Sequence, residues 1–284
     1  MLVNMKQLLV EAQKEKWAVG SFSVANMEMV LGVIKAAEET NSPIILQIAE
    51  VRLKQSPLEI IGPLMIAAAK NAKVPVAVHF DHGLTFEKIR PALDLGFTSV
   101  MFDGSHHHLE ENIIKTIETV KIAKEYRVCV EAEIGCVGGS EDGSEDIAIN
   151  CTSPAEAVKF VKETNVDALA IAIGNAHGNY KQTPHLRFDI LEKVKNSVDV
   201  PLVLHGGTGI LPEEFVKCRE NGIKKINIAT ATFDSVQQSV KAAYESRKIN
   251  GYYDLHAAEI EGAYKNALKH IEIFDCANKA QLFI

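Results

Sequence analysis

The sequence predicts an α/β protein that folds as a (β/α)8 barrel of the TIM type. Its 284 residues suit one such barrel, and eight short apolar runs alternate with helical patterns along the whole chain. Right-handed crossovers close eight units of this kind into a ring. The alternative, a doubly wound open sheet, needs a G-x-G-x-x-G turn after its first strand. Residues 21–28 read SFSVANME there, which favours the barrel.

The predicted strands are apolar through the middle, as expected of strands buried on both faces. They cover residues 17–24, 43–49, 75–81, 99–103, 128–134, 168–174, 201–205 and 225–230. Helical patterns lie between them at residues 27–40, 58–71, 85–95, 109–126, 154–164, 188–196 and 212–221. We expect one domain over residues 1–284, with an additional N-terminal helix in MLVNMKQLLVEAQKEK and C-terminal helices at residues 233–247 and 257–274.

Composition and charge argue against several classes of partner. The formal net charge is −7 and no basic run is present, so we expect no nucleic-acid partner. The longest apolar runs fall far short of the roughly 20 residues of a membrane helix, so we expect no membrane partner. Five scattered cysteines without a C-x-x-C pair indicate reduced thiols in a cytoplasmic protein.

Polar residues collect where the predicted strands end, which is the rim that holds the active site of a barrel. The third strand ends in HFDHG, the sixth in IGNAHG and the seventh in LHGGTG. These ends carry His82, His177 and His205. A histidine alone is more often a hydrogen-bonded structural residue. Three at equivalent positions, with carboxylates between them, indicate a metal site, and catalytic zinc favours three protein ligands with one open position.

The seventh and eighth strand ends carry a second signal. Gly206, Gly207 and Thr208 offer bare backbone N–H groups, and residues 227–230 open a helix. Barrels frequently bind phosphate at these two loops. A tight turn that needs glycine is the alternative interpretation, and position in the barrel favours phosphate.

A metal site together with a phosphate site limits the reactions that we expect this barrel to catalyse. A metal that polarises a ketone oxygen acidifies the neighbouring carbon, and the reaction then needs a base for carbon and an acid for oxygen. Asp81 adjoins a proposed ligand and suits proton exchange with oxygen. Glu141 lies in the acidic, glycine-rich segment 135–152, which could close over a substrate. A solvated acidic loop is the alternative for that segment.

Six motifs occur in order along the chain: HFDHG, SVMFDGSHH, VEAEIGCVGGSED, AIAIGNAHGNY, PLVLHGGTGI and KINIAT. Together they resemble the class II, metal-dependent fructose-bisphosphate and tagatose-bisphosphate aldolases. The resemblance implies reversible aldol cleavage of a ketose 1-phosphate or ketose 1,6-bisphosphate to dihydroxyacetone phosphate and an aldehyde, through a metal-stabilised enediolate. It also implies a sugar phosphate as the partner and a homodimer or homotetramer.

The resemblance assigns roles to individual residues. One catalytic zinc ion is held by His82, His177 and His205, Asp81 exchanges a proton with the C4 oxygen, and Glu141 takes the C3 proton of dihydroxyacetone phosphate. Carboxylates that border a displaced or second divalent ion are Asp103 and Glu133. The phosphate and monovalent-cation region is formed by Gly178, Gly206, Gly207, Thr208, Asn227, Ile228, Ala229 and Thr230.

Three departures from the family pattern leave the acceptor aldehyde open. Ser23 stands where relatives have Asn, Ala49 and Glu50 follow the second strand in place of a Ser or Thr, and residues 253–256 lack the usual Arg. If Glu50 faces the site, it would repel a second phosphate and favour a non-phosphorylated aldehyde. If Glu50 turns outward, Arg52 or another basic residue could replace the missing Arg.

Two further alternatives differ in chemical class. A Schiff-base aldolase needs a lysine that points inward from a strand end. The sixth strand has none, and Lys224 and Lys225 lie at the predicted start of the eighth. A catalytically silent phosphosugar-binding barrel would be signalled by loss of Asp81 or the histidines, and all of these are present.

Overall fold

The computed structural model of the chain describes residues 1–139, 148–179 and 184–283. Its eight strands form a closed parallel barrel in sequence order, and β1 pairs with β8 to close the ring. This confirms the predicted fold. The strands are β1 Val19–Ser23, β2 Ile44–Ala49, β3 Val76–Gly83, β4 Ser99–Phe102, β5 Cys129–Ile134, β6 Ala168–Ile171, β7 Leu202–Leu204 and β8 Ile223–Ile228.

The helices surround this barrel. They are α1 Met5–Lys14, α2 Met27–Glu39, α3 Leu58–Asn71, α4 Phe86–Asp94, α5 Leu109–Tyr126, α6 Pro154–Thr164, α7 Phe188–Lys195, α8 Pro212–Glu220, α9 Thr230–Glu245 and α10 Tyr252–Ile273. Local sequence fixes several of their ends. For example, the Asn26 side chain accepts a hydrogen bond of 2.9 Å from the backbone N–H of Met29 and so begins α2. In the described part of the chain, no helix combines the length and apolar character needed to span a bilayer.

The C-terminal helices begin earlier than the sequence pattern predicted. Helix α9 begins at Thr230, within the segment expected to be strand, and α10 begins at Tyr252 instead of residue 257. The Asp254 carboxylate accepts hydrogen bonds from the backbone N–H groups of Asn250 (2.8 Å) and Gly251 (3.1 Å), which caps α10. Tyr252 and Tyr253 are 69% and 83% exposed, so this first turn has no buried face that periodicity could reveal.

The barrel interior differs from the predicted apolar pattern. The side chains of β1, β3, β5 and β8 are buried on both faces, but they alternate polar and apolar. Apart from Lys224 and His82, which are also buried, the polar members are Ser21, Ser23, His79, Asp81, Glu131, Glu133, Lys225 and Asn227. Because successive side chains of a strand point to opposite faces, each of these pairs lies on one face. The mutual hydrogen bonds and ion pairs of these residues show that this face is the barrel interior.

A bulge in β3 interrupts that alternation at the catalytic rim. The register between β3 and β4 shifts between Phe80 and Gly83, and His82 adopts a left-handed backbone with φ of 43°. In a regular strand, Asp81 and His82 would point to opposite faces. The bulge turns both side chains into the barrel mouth, which is a common use of bulges next to active sites.

Candidate active site

The histidines predicted from three strand ends converge at the mouth of the barrel. His82 lies in β3, His205 directly follows β7, and His177 lies in the loop after β6. One ring nitrogen from each lies within 4.8 Å of the others. Nε2 of His82 and Nδ1 of His205 are 2.7 Å apart. The structure therefore brings together the three histidines that the sequence predicted as metal ligands.

Carboxylates hold the outer nitrogens of two of these rings. Nδ1 of His82 lies 2.6 Å from Asp103 Oδ2, and Nε2 of His205 lies 2.8 Å from Glu131 Oε1. A carboxylate accepts, so each of these nitrogens carries the proton, and the lone pairs of His82 Nε2 and His205 Nδ1 face each other. Two lone pairs at 2.7 Å repel unless a proton or a metal ion lies between them. This donor set fits a zinc ion, which prefers imidazole ligands backed by carboxylates.

Asp103 and Glu133 form a second group around His82, whose ligand atoms also lie within 4.8 Å of one another. Burial and the Asp103 charge raise the pKa of Glu133 to about 8. Among the described residues, Glu133 Oε2 has no hydrogen-bond partner although it is buried. A buried carboxylate of this kind suits a cation, so the group fits the divalent position that the sequence placed beside the histidines.

Asp81 is fixed from both sides. Gln47 Nε2 donates to its Oδ2 at 2.9 Å, and Asn227 Nδ2 donates to its Oδ1 at 3.0 Å. Burial acts to raise the pKa of Asp81, but the nearby His82, His79 and Lys225 outweigh it and hold the pKa well below its usual range. Oδ2 also lies 4.0 Å from His82 Nε2. Asp81 is therefore a carboxylate beside the histidine cluster, in the form that accepts a proton.

Comparison with known proteins agrees with this site. A family model for class II fructose-bisphosphate aldolase matches residues 3–279. The chain belongs to the class II fructose-bisphosphate aldolase family. This class II aldolase is 41% identical over 262 residues to a fructose-bisphosphate aldolase of Geobacillus stearothermophilus, which covers 88% of this chain and 91% of the relative. The predicted family and the assignment as an aldehyde-lyase are confirmed.

Two further relatives extend the comparison. A fructose-bisphosphate aldolase of Staphylococcus aureus strain Mu50 is 39% identical over 262 residues, with 88% of this chain and 91% of the relative covered. The crystal structure of the YdjI aldolase from Escherichia coli K12 superposes with a TM-score of 0.89 at 34% identity, covering 99% of this chain and 100% of that one. Class II aldolases generally use zinc, which agrees with the histidine cluster.

Two loops that the sequence predicted to bind phosphate contact each other. Thr208 Oγ1 accepts a hydrogen bond of 3.0 Å from the backbone N–H of Ala231, which joins the loop after β7 to the first turn of α9. Gly206 has φ of 63°, and a Cβ there would lie 2.1 Å from the carbonyl oxygen of Ala176. Only glycine therefore allows this loop to lie against the segment that carries His177.

The remaining predicted members of this region divide between two places. Gly178 has φ of 75° and open space around it, and the adjacent Asn179 donates to Asp234 of α9 at 3.2 Å. Ile228 ends β8, and Ala229 and Thr230 lead into α9. The Asn227 side chain turns away from that helix toward Asp81. Asn227 thus holds the carboxylate, a role the sequence did not indicate.

Glu141 lies outside the described residues, so its predicted role as base stays a prediction. The described residues that precede Glu141 in the chain contact the segment that carries His177. Gly138 accepts a hydrogen bond of 2.7 Å from the backbone N–H of His177. Asn175 Nδ2 donates to the carbonyl oxygen of His205 at 3.0 Å. These contacts hold the loops after β5, β6 and β7 together around the site.

Sequence reasoning missed the charged layer beneath the histidines. Lys225 Nζ is fully buried and lies 2.8 Å from Glu131 Oε2 and 4.0 Å from Asp81 Oδ1. The group formed by His79, Asp81 and Glu131 could hold a metal by its geometry alone. The Lys225 ammonium already supplies the positive charge there. The sequence signal was the spacing of two residues between Glu131 and Glu133 in β5 and between Lys225 and Asn227 in β8.

The same contacts decide the position of Lys225. We placed it at the start of β8, but β8 begins at Ile223 and Lys225 points inward. Its ammonium is paired with Glu131 in the fully buried layer. A Schiff base needs an amine that a carbonyl can reach, so the arrangement of Lys225 still disfavours that alternative.

The Glu50 side chain is bonded to the segment between β3 and α4. Its carboxylate accepts hydrogen bonds from the backbone N–H groups of Leu84 (2.7 Å) and Thr85 (3.2 Å), directly before α4. Thr85 Oγ1 also donates to it at 3.1 Å. These contacts agree with the alternative in which Glu50 turns outward, and its effect on a second phosphate stays a prediction. Arg52 lies in the same short 3-10 helix, with its guanidinium 5.3 Å from the ring centre of Phe233 in α9.

Proposed function

We propose that this chain catalyses reversible aldol cleavage of a ketose 1-phosphate or ketose 1,6-bisphosphate to dihydroxyacetone phosphate and an aldehyde. The observation that carries the proposal is the convergence of His82, His177 and His205 from three strand ends beside the Asp81 carboxylate. The three histidines would hold one zinc ion. When bound, that ion supplies Lewis-acid polarisation of the ketose carbonyl.

Asp81 acts at the oxygen of carbon 4. Its carboxylate is held by Gln47 and Asn227, so it is oriented before substrate binds. In the cleavage direction Asp81 accepts the C4 hydroxyl proton, the C3–C4 bond breaks, and the aldehyde leaves. The bonding electron pair remains on the three-carbon fragment. In the synthesis direction Asp81 returns the proton to the new hydroxyl group.

Glu141 is the proposed acid–base group at carbon 3. It protonates C3 of the three-carbon fragment in cleavage and removes that proton in synthesis. After cleavage Asp81 releases its proton to solvent and Glu141 takes one up, which restores both groups. The donor phosphate is placed on the loop of Gly206, Gly207 and Thr208 and on the start of α9. Backbone N–H groups and a helix N-terminus favour an anion there.

The orientation of Glu50 favours a phosphorylated acceptor over a neutral one. Since Glu50 is bonded to the start of α4, no carboxylate from that position opposes a second phosphate. Fructose 1,6-bisphosphate is therefore the first substrate to test, with tagatose 1,6-bisphosphate as its C4 epimer. Every described member of the catalytic set reaches the site, so no observation favours the catalytically silent alternative.

The experiment follows formation of dihydroxyacetone phosphate from each ketose phosphate with a coupled NADH-dependent reductase. We expect cleavage by the zinc-loaded protein and loss of activity in His205→Ala. Borohydride added with substrate should not inactivate the enzyme, because no Schiff base forms. Borohydride-dependent inactivation, or equal activity in His205→Ala, would contradict the proposal.

A further inference from the structure

A chain of contacts runs from the bottom of the site into the barrel. Lys225 Nζ lies 2.8 Å from Glu131 Oε2 and 3.1 Å from Oε1. Oε1 of Glu131 in turn accepts from Nε2 of His205 at 2.8 Å. All of these side chains are fully buried. Each comes from a different strand or strand end, β8, β5 and β7, so only the closed barrel assembles the chain.

Stability alone does not explain this arrangement. A buried ion pair is often no more stable than apolar side chains of the same volume, because both charges lose their hydration. Most (β/α)8 barrels fill their interior with branched apolar residues. The Lys225–Glu131 pair instead lies directly beneath one histidine of the proposed zinc site.

The contact decides which nitrogen of His205 can bind a metal. A neutral imidazole has one protonated and one lone-pair nitrogen. Because Glu131 accepts at Nε2, the proton is held there, and the lone pair is on Nδ1, which faces His82 Nε2 at 2.7 Å. Lys225 Nζ lies within 3.1 Å of both Glu131 oxygens, which fixes this carboxylate in place beneath His205. Partners of this kind fix the tautomer and ring orientation of a metal-binding histidine.

We propose that Glu131 and Lys225 are positioning residues of the metal centre, with Lys225 acting on His205 through Glu131. This inference rests on the proposed zinc site of His82, His177 and His205. The Lys225–Glu131 ion pair is not part of any ligand motif in the sequence. Neither residue touches the substrate in this account.

The test compares variants by zinc affinity and by spectrum. Zinc dissociation constants are measured by competition with a chromophoric chelator, and the visible spectrum is recorded after cobalt substitution. We expect Glu131→Gln and Lys225→Met each to weaken zinc binding about 10- to 100-fold, with a changed cobalt spectrum. The double variant should bind zinc no more weakly than Glu131→Gln alone, because Lys225 acts through Glu131.

Lys224→Met is the matched control, because Lys224 is the neighbouring buried lysine of β8 and donates to the carbonyl oxygens of Glu15 (2.9 Å) and Arg219 (3.2 Å). The zinc dissociation constant of Lys224→Met should stay within about twofold of that of the unmodified protein. This change is much smaller than the weakening of at least about 10-fold expected for the positioning residues. If Lys225→Met does not fold, the double variant decides, since it leaves neither charge unpaired.

The outcomes separate the two proposals. Wild-type zinc affinity and cobalt spectrum in Glu131→Gln and Lys225→Met would overturn the positioning roles. If His82→Ala abolishes zinc binding in the same series, the zinc site itself stands. If the unmodified protein binds zinc no better than His82→Ala, both proposals fail.

Discussion

At Asp81, both carboxylate oxygens accept hydrogen bonds from side-chain amides, and the pKa is held well below its usual range. Asp81→Asn removes the proton acceptor at the C4 oxygen, so we expect the kcat for cleavage to fall about 10²- to 10⁴-fold. Exchange of the C3 proton of dihydroxyacetone phosphate with deuterated solvent needs no such acceptor and should persist. Proton NMR and the coupled assay measure the two reactions.

Glu141→Gln is the complementary half of the same prediction. It should nearly stop the exchange, since the proposed carbon base is lost. Equal loss of exchange in Asp81→Asn and Glu141→Gln would refute the division of roles. Normal exchange in Glu141→Gln would remove Glu141 as the base.

The Glu50 carboxylate is bonded to the start of α4. Glu50 accepts three hydrogen bonds from Leu84 and Thr85, directly before α4. Glu50→Ala should therefore lower the free energy of unfolding by about 0.5–2 kcal/mol, like the loss of a helix cap. The preference in kcat/KM for glyceraldehyde 3-phosphate over an unphosphorylated hydroxyaldehyde should not change. A rise of 10-fold or more in that preference would show that Glu50 faces the substrate after all. Denaturant unfolding and initial rates provide the two measurements.

The bulge of β3 is the element that makes the metal site possible. It needs glycine at position 83, where a Cβ would lie 2.5 Å from the carbonyl oxygen of Met101 and 2.8 Å from Ile89. Gly83→Ala should therefore destabilise the protein by about 1–3 kcal/mol and weaken zinc binding by moving His82. Gly251→Ala is the control, since nothing lies within 4 Å of a Cβ there. Unchanged zinc affinity in Gly83→Ala would show that zinc binding does not depend on the bulge.

Helix α10 carries a pH-dependent contribution to stability. His270 is buried beside Phe215 and Phe274, and burial lowers its pKa to about 4. The unfolded chain, with a pKa near 6.5, then binds more protons between these values, so stability falls as pH decreases through this window. From pH 7.5 to 5 the loss due to His270 is about 2 kcal/mol.

Denaturant unfolding of His270→Phe, in chelator at both pH values, measures this contribution. The variant should lose about 2 kcal/mol less than the unmodified protein. Phe274→Leu alters the same packing without removing a titrating group, so it should keep the original pH dependence. Parallel stability curves for His270→Phe and the unmodified protein would contradict the prediction.

Sequence reasoning succeeded for elements whose signal is local. Strand ends and glycine loops each lie within a few residues, and the structure brings the predicted histidines, Asp81 and the loop of Gly206 to one rim. It failed where the signal depends on a distant partner. The sequence placed Lys225 at the start of a strand, and only the structure shows that it pairs with Glu131 of β5. From the sequence, Glu50 could be placed facing the substrate, because its bond to the backbone N–H of Leu84 is not visible in the local pattern.

The whole barrel is what creates the site. The histidines, Asp81, Glu131 and Lys225 come from β3, β5, β7, β8 and the loop after β6, so no local segment contains the chemistry. Helix α10 contacts β1 at the opposite end, where the backbone N–H of Ala18 donates to the carbonyl oxygen of Phe274 at 3.1 Å. Polar residues thus fill the interior near the rim, while helices and apolar side chains stabilise the closed ring.

In the proposed mechanism, metal held by His82, His177 and His205 is required for aldol cleavage. The most direct measurement removes metal with a chelator, then titrates zinc back while recording bound zinc and the rate of fructose 1,6-bisphosphate cleavage. We predict negligible activity without metal and recovery that is complete at about one catalytic zinc per chain. Full activity in a sample verified to be free of metal would contradict the account.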